Sequence, residues 1–264
     1  MAFYGLDYIY DGIPSEQYGL QILNLETGLQ EGKAGGASNI LEDYQIHKNR
    51  AYFYKTVHNI PLEFDFTVGS CDSKGAVDRN IINRWMLSRS GYKKLQIVQD
   101  DMIDVYYNVI FQEAAPLYAG NLMYAIRYSA HCDSGFGWTF PRTLLVAGGT
   151  NITNRTLAPI FNDSAEDGYI YPKLSFTMNN LGGAFAITNI SDSSRALIIT
   201  GLLSGETITI DNDNRMITSS MGRLLIDKFN GNWFRLIGGI NSINVNGAIT
   251  NLSMTYQLTR KMGV

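Results

Sequence analysis

The sequence predicts a mainly β protein in two parts, an N-terminal β-barrel or sandwich with one α-helix and a C-terminal β-sandwich of jelly-roll kind. Three observations carry this. Apolar residues alternate with polar ones at period two in both halves, as in Ile60, Leu62, Phe64, Phe66 and Val68, and again in Leu252, Met254, Tyr256 and Leu258. A single stretch, around residues 73–88, has helical spacing instead. Charged residues make up only 17% of the 264, below the roughly 25% of an average soluble domain, while Gly, Asn, Ser, Thr and Tyr are abundant.

The first strand is the aromatic run Tyr4 to Tyr10. Asp11-Gly12 breaks it with a dipeptide that favours the positive φ of a hairpin turn, and Tyr18 to Leu25 is expected to pair back on it. Thr27 to Asn39 holds four glycines and little to bury, which reads as a mobile contact loop. Tyr52 to Val57 and Ile60 to Val68 are the clearest strands of this half, the second starting near an edge because Pro61 cannot donate to a ladder. The helix is expected to start at a cap on Asp72 or Ser73, to bury Val77, Ile81, Ile82 and Trp85, and to end near Gly91. Lys94 to Gln99, Val105 to Phe111 and Leu122 to Cys132 resume the strands, with Cys132 among the inward set and His131 on the opposite face.

Between Trp138 and Pro159 the alternation lapses. Pro141, Gly148-Gly149 and two Asn-x-Thr triplets suggest either a domain boundary or a long loop within one domain, and the chain length favours the boundary. The expected division is a domain of residues 1–141, a connector of residues 142–160 and a sandwich of residues 161–264. In the sandwich, Leu174, Phe176 and Met178 share a face and Phe185, Ile187 and Asn189 continue the alternation, followed by Arg195 to Thr200. GETITIDNDNRMITSS is the strongest hairpin signal, with Ile208 and Ile210 inward and Asp211 to Asn214 as the turn. Asn232 to Leu236, Ile240 to Val245 and Ala248 to Leu258 complete it.

Residues 1–140 carry 16 acidic and 11 basic side chains, a net of −5, and residues 141–264 carry 8 and 10, a net of +2. No basic nucleic-acid footprint is present. The N-terminus has neither the basic start nor the apolar core of a signal peptide, and no run approaches the roughly 18 apolar residues of a membrane span. Synthesis in a cytosol without membrane insertion is therefore expected. On that basis the Asn-x-Ser/Thr triplets at Asn151, Asn154, Asn162, Asn189 and Asn251 are products of composition, not glycosylation sites. Cys71 and Cys132, 61 positions apart and in no Cys-x-x-Cys pair, are expected to be free buried thiols.

Chemistry-bearing motifs are few. Asp211-Asn212-Asp213-Asn214 begins like a calcium loop, but Arg215, Met216 and Gly222 stand where a ligand, a glycine and a bidentate Glu are needed, so a polar hairpin tip is expected. His131-Cys132-Asp133 points to opposite faces of a strand, and His47 and His58 add no ligand spacing. Asp100, Asp101 and Asp104 fit a solvated turn better than an acid/base pair. No nucleophile elbow, phosphate loop or dinucleotide fingerprint occurs. No catalytic, cofactor-binding or metal residue is assigned, and a non-enzyme is expected. Trp233 and Tyr171 are the candidates for stacking on sugars, although the alternation of NWFRL favours a core position for Trp233 over a platform.

The order of features resembles the distal tail protein family of siphophages. The resemblance rests on FYGLDYIYDGIPSEQYGLQI, PLEFDFTVG, the helix ending NRWMLSRSGY, VYYNVIF and MYAIRYSAHCDSGFGW. In the second half GETITIDNDNRMI and FNGNWFRLIGGINSINVNG are similar to the family's galectin-like sandwich. This implies a virion protein of the phage tail tip, a homo-hexameric ring joining the tail tube to a tail-associated or fibre protein and often supporting receptor-binding proteins. It implies no cofactor and no reaction, and DNA would pass through the ring without specific binding. The acidic first half would suit a channel lining that DNA does not stick to. The alternative is a carbohydrate-binding protein recognising host cell-surface glycans through exposed aromatics of the second half.

Overall fold

Tyr8 and Tyr10 point inward along β1 (Asp7–Tyr10), and the chain reverses at once through Asp11 and Gly12, both at positive φ (53° and 77°). The computed structural model describes residues 7–23, 36–42, 52–70, 78–147, 152–165, 168–179 and 182–261. The strand that pairs back is β2 (Ile13–Pro14), with Tyr10 opposite Ile13, and not the expected Tyr18 to Leu25. A two-residue turn fixes the register immediately, and Pro14 then ends the ladder because it has no N–H. Ser15–Tyr18 forms a 3-10 turn, and the following β3 (Gln21–Ile22) joins another part of the sheet.

β4 (Gly36–Glu42) and β5 (Tyr52–Ile60) make a two-stranded ladder of their own. The expected loop from Thr27 lies outside the described residues up to residue 35, and residues 36–39 open β4. β6 (Glu63–Gly69) starts after Pro61 and Leu62, so the run expected from Ile60 to Val68 is interrupted where the proline cannot donate.

The helix α1 (Arg79–Leu87) is shorter than the expected 73–88. Its cap is Asp78, whose Oδ1 accepts the N–H groups of Asn80 at 2.9 Å and Ile81 at 3.3 Å. Asp72, Ser73 and Val77 lie outside the described residues. The buried stripe is Ile82, Trp85 and Met86, while Ile81 is 50% exposed. At about 100° per residue the three buried positions share one arc, and Ile81 falls beyond its edge. Trp85 stacks on Tyr8 (centroids 5.7 Å apart) and donates its ring N–H to the carbonyl of Tyr10 at 3.3 Å.

β7 (Lys93–Val98), β8 (Val105–Ala119), β9 (Leu122–Cys132) and β10 (Gly137–Thr139) complete this part. The sheet order is β2-β1-β7-β8-β9-β6-β3, with β10 against the start of β8. β8 runs well past Phe111, bending at Glu113 (φ 49°), where the ladder with β9 slips by one residue. Ile126, Tyr128, Ala130 and Cys132 point inward as expected, but Leu122 and Tyr124 are exposed because β6 stops supporting β9 at Ala125.

The second part is a sandwich. β11 (Arg142–Ala147), β12 (Ile152–Thr156) and β13 (Ile160–Asn162) come first, followed by β14 (Lys173–Met178), β15 (Gly183–Asn189) and β16 (Arg195–Leu202). β17 (Thr207–Asp211), β18 (Met216–Ser219), β19 (Gly239–Asn241), β20 (Ile243–Gly247) and β21 (Ile249–Tyr256) follow. One sheet is ordered β11-β21-β14-β17-β18 and the other β12-β20-β15-β16, with β13 and β19 as a separate ribbon. Phe176 of the first sheet and Phe185 of the second stack at 3.8 Å inside a core that also buries Leu174, Ile187, Leu197, Ile208, Val245 and Leu252.

Residues 142–160 therefore supply strands to the sandwich, and the expectation of a connector is corrected. β11 pairs with β21 and β12 with β20, and Val146, Leu157 and Ile160 enter the core. The polar Asn-x-Thr residues obscure this in the sequence because ladder hydrogen bonds need no apolar side chain. The NWFRL stretch is the reverse case. Phe234 and Leu236 are buried, yet the backbone forms no strand, and the Phe234 N–H goes to the side chain of Asn212 at 2.8 Å.

β22 (Thr259–Arg260) then pairs with β10, Trp138 lying opposite Thr259. The chain thus divides into unit 1, Met1–Phe140 with Thr259–Val264, and unit 2, Pro141–Leu258, the second inserted between β10 and β22 of the first. Among the described residues no helix is long and apolar enough to cross a membrane.

Candidate functional site

Asn189, the last residue of β15, is buried, and its side chain is fully used. Its Nδ2 donates to the carbonyl of Arg235 at 3.0 Å and to Oδ1 of Asn241 at 2.7 Å, and its Oδ1 accepts the N–H of Ser191 at 3.2 Å. Asn241, equally buried, accepts the Ile237 N–H and donates to the carbonyls of Ile237 and Gly239. Asn162 donates to the same Ile237 carbonyl. These amides carry hydrogen bonds of the irregular segment ahead of β19, residues 235–238. They fix where Arg235 stands relative to the turn after β15.

That turn carries Asp192. Arg235 donates to it through two nitrogens, Nε to Oδ2 at 2.8 Å and a terminal nitrogen to Oδ1 at 3.1 Å. The Arg235 hydrogen bond holds the Asp192 carboxyl below its ordinary pKa, burial opposes this, and the charges of Arg235 and Arg195 add to the lowering. The Asp192 hydrogen bond in turn raises the guanidinium of Arg235 further above its ordinary range, against the effect of burial. The guanidinium carbon of Arg235 lies over the ring of Tyr169, 3.6 Å from its centroid, and Tyr171 meets Tyr169 edge-on. Tyr169 remains 48% exposed.

Of the two aromatics singled out in the sequence, Tyr171 belongs to this group. Trp233 packs its ring 4.7 Å from Phe229 against the sandwich core, and its contribution nearby is a carbonyl that accepts Arg195 Nε at 3.1 Å. Nothing in the sequence marks Tyr169, Asp192 and Arg235 as a group. Asp192 and Arg235 are 43 positions apart, and no motif links them.

The other flagged places are structural. Asp211 accepts the N–H and the side-chain amide of Asn214 at 3.0 and 3.1 Å, with the backbone bond the main cause of its lowered pKa. Asn212 points inward, donating to the carbonyl of Pro172. His131 pairs with Glu63 at 3.0 Å across the ladder, and Cys132 is buried on the other face, its thiol pushed up to about 12 by burial and then by Asp133. Asp101 accepts from Gln99 at 2.7 Å at the end of β7. Among the described residues no group of three His, Cys, Asp or Glu side chains is placed to hold a metal. Cys71, His47 and Asn151 lie outside the described residues.

Charge divides differently once the units are known. Arg260 and Lys261 belong to unit 1, so its balance is 16 acidic to 13 basic, a net of −3, and unit 2 holds 8 of each.

Family and structural comparisons cover both units. A family described as "Phage tail protein N-terminal domain" matches residues 3–134, and one described as "Phage tail C-terminal domain" matches residues 136–256. The fold is similar to the Dit protein of phage SPP1, described as a paradigm of the hub adsorption apparatus in phages infecting Gram-positive bacteria. The TM-score is 0.67 at 12% identity, over 96% of this chain and 99% of that one. It is also similar to a chain of the phage P2 baseplate in its activated conformation with Ca, with TM-score 0.51 at 10% identity, over 96% of this chain and 97% of that one. No curated protein matches the sequence.

Proposed function

The chain belongs to the phage tail protein family, and from that premise we propose that it is a distal tail protein, a structural hub of the tail tip. The observation that carries this reading is that the similarity to the SPP1 hub protein runs through both units and nearly the whole of each chain. On this reading six copies form a ring. Unit 1 surrounds the channel, unit 2 projects outward, and the ring joins the tail tube to a tail-associated, fibre or receptor-binding protein.

The role is architectural and non-enzymatic. The net charge of −3 on unit 1 is in keeping with a pore through which DNA passes without binding, since like charge disfavours adhesion to phosphate. The test is the mass of the purified protein under native conditions, followed by imaging of the particle. Six copies around a central opening are expected, while a monomer at every accessible concentration, and in the presence of the neighbouring tail proteins, would overturn the ring.

A further inference from the structure

We propose that Tyr169, Tyr171, Asp192 and Arg235 form a saccharide-binding site on unit 2. The inference does not rest on the tail assignment. A pyranose has an apolar C–H face and a rim of hydroxyls that both donate and accept, so a site for it needs an exposed aromatic surface beside planar polar groups of both kinds. Arg235 packs over the Tyr169 ring and Tyr171 meets it edge-on, and Tyr169 still keeps 48% of its surface exposed.

The polar half of the site stands beside it. A guanidinium has five N–H donors and a carboxylate about four acceptor positions. The Arg235–Asp192 pair occupies two of each, and with the Arg235 side chain 22% and the Asp192 side chain 11% exposed, donors and acceptors remain side by side for a pair of neighbouring hydroxyls. The Arg235 charge is paired with Asp192, and Arg195, whose charge also acts on Asp192, donates its Nε to the Trp233 carbonyl, so the group offers hydroxyl partners more than a free cation for a phosphate or carboxylate.

The site is also pre-organised, which reduces the entropy lost on binding. Asn189 is the positioning residue: one end of its amide holds the Arg235 carbonyl and the other the N–H of Ser191, the residue before Asp192. Packing over Tyr169 restricts where the Arg235 guanidinium can stand. Phe234 and Leu236, on either side of Arg235, are fully buried in the core beneath.

The full-length protein is applied to an array of neutral and acidic oligosaccharides, and the best-bound sugar is titrated by calorimetry in low and high salt. Saturable, salt-insensitive binding to a neutral glycan is expected. Tyr169→Ala should weaken it by about tenfold or more at unchanged melting temperature, and Tyr169→Phe should keep most of it. Arg235→Lys, which removes the flat two-nitrogen pairing, should abolish binding. Absence of saturable binding overturns the proposal, as does binding confined to acidic glycans and lost in salt, or binding that Tyr169→Ala leaves unchanged. A hexamer that binds no sugar would overturn this inference alone, and a monomer that binds sugar would overturn the ring alone.

Discussion

Asn189 and Asn241 show at the residue scale how much of unit 2 depends on a few buried amides. Both lie in strands, yet their side chains hold backbone that has no ladder partner. Leaving a buried donor or acceptor unpaired costs about 1–3 kcal/mol, and Asn189→Ala strands several groups at once. Urea denaturation of that variant should show unit 2 weakened by about 2–3 kcal/mol. In the sequence Asn162 and Asn189 sit in Asn-x-Ser/Thr triplets that read as products of composition. Their burial makes them structural instead, a fact that composition and spacing do not reveal.

Glu206 follows the same logic with a charge. Burial by itself would raise its pKa, but the Leu203 N–H at 2.8 Å, the Ser219 hydroxyl at 2.6 Å and Arg223 at 2.9 Å outweigh it and hold the carboxyl low. Asp192 and Asp211 are held low as well. A carboxyl with a lowered folded pKa contributes stability that is fully present above its unfolded pKa, about 4, and is lost as pH falls through the folded value. The urea midpoint of unit 2 should therefore drop as pH is lowered from about 5 toward 2, and Glu206→Gln should flatten that slope. Cys132, raised to about 12 by burial, should resist alkylation in the folded protein at pH 8 and react once the protein is unfolded. Mass analysis of the Cys132 peptide reads this directly.

At the scale of elements, α1 and β10 illustrate two kinds of legibility. The helix is legible from its periodicity, but its cap is not, because Asp72, Ser73 and Asp78 are all residue types that cap a helix. What selects Asp78 is where Ile82, Trp85 and Met86 meet the sheet. Asp78→Ala should cost about 1 kcal/mol in thermal or urea unfolding. β10 gives no sequence signal of its own. Its Gly137 lies so close to β8 that an added Cβ would stand 2.6 Å from Val105 Cγ1 and 2.9 Å from Tyr107. Gly137→Ala should destabilise unit 1 by about 1–3 kcal/mol, and protection of the β8 and β10 amides from hydrogen exchange would report the loss.

On the scale of the whole molecule, unit 2 is an insertion, and a two-residue strand closes unit 1 after it. Removing residues 259–264 takes β22 away from β10 and leaves the sandwich strands untouched. Calorimetry of the truncated protein should show the unit 1 transition lowered and the unit 2 transition unchanged, whereas an equal shift in both would contradict the division. The same return of the chain moves Arg260 and Lys261 to unit 1 and reduces the charge contrast from −5 and +2 between the halves to −3 and 0 between the units.

The sequence by itself determined the class of the fold, the inward residues of most strands, the place of the helix and the turn at Asp11-Gly12. Each of these is set by local sterics or by the two-residue and 3.6-residue periods of burial. Tertiary structure alone decided which strands pair, that the polar residues 142–160 belong to the sandwich, and that β22 returns to β10. It also decided that Asp192, Arg235 and Tyr169 meet. Pairing and convergence depend on backbone hydrogen bonds and on contacts between residues tens of positions apart, and neither leaves a periodic trace in the chain.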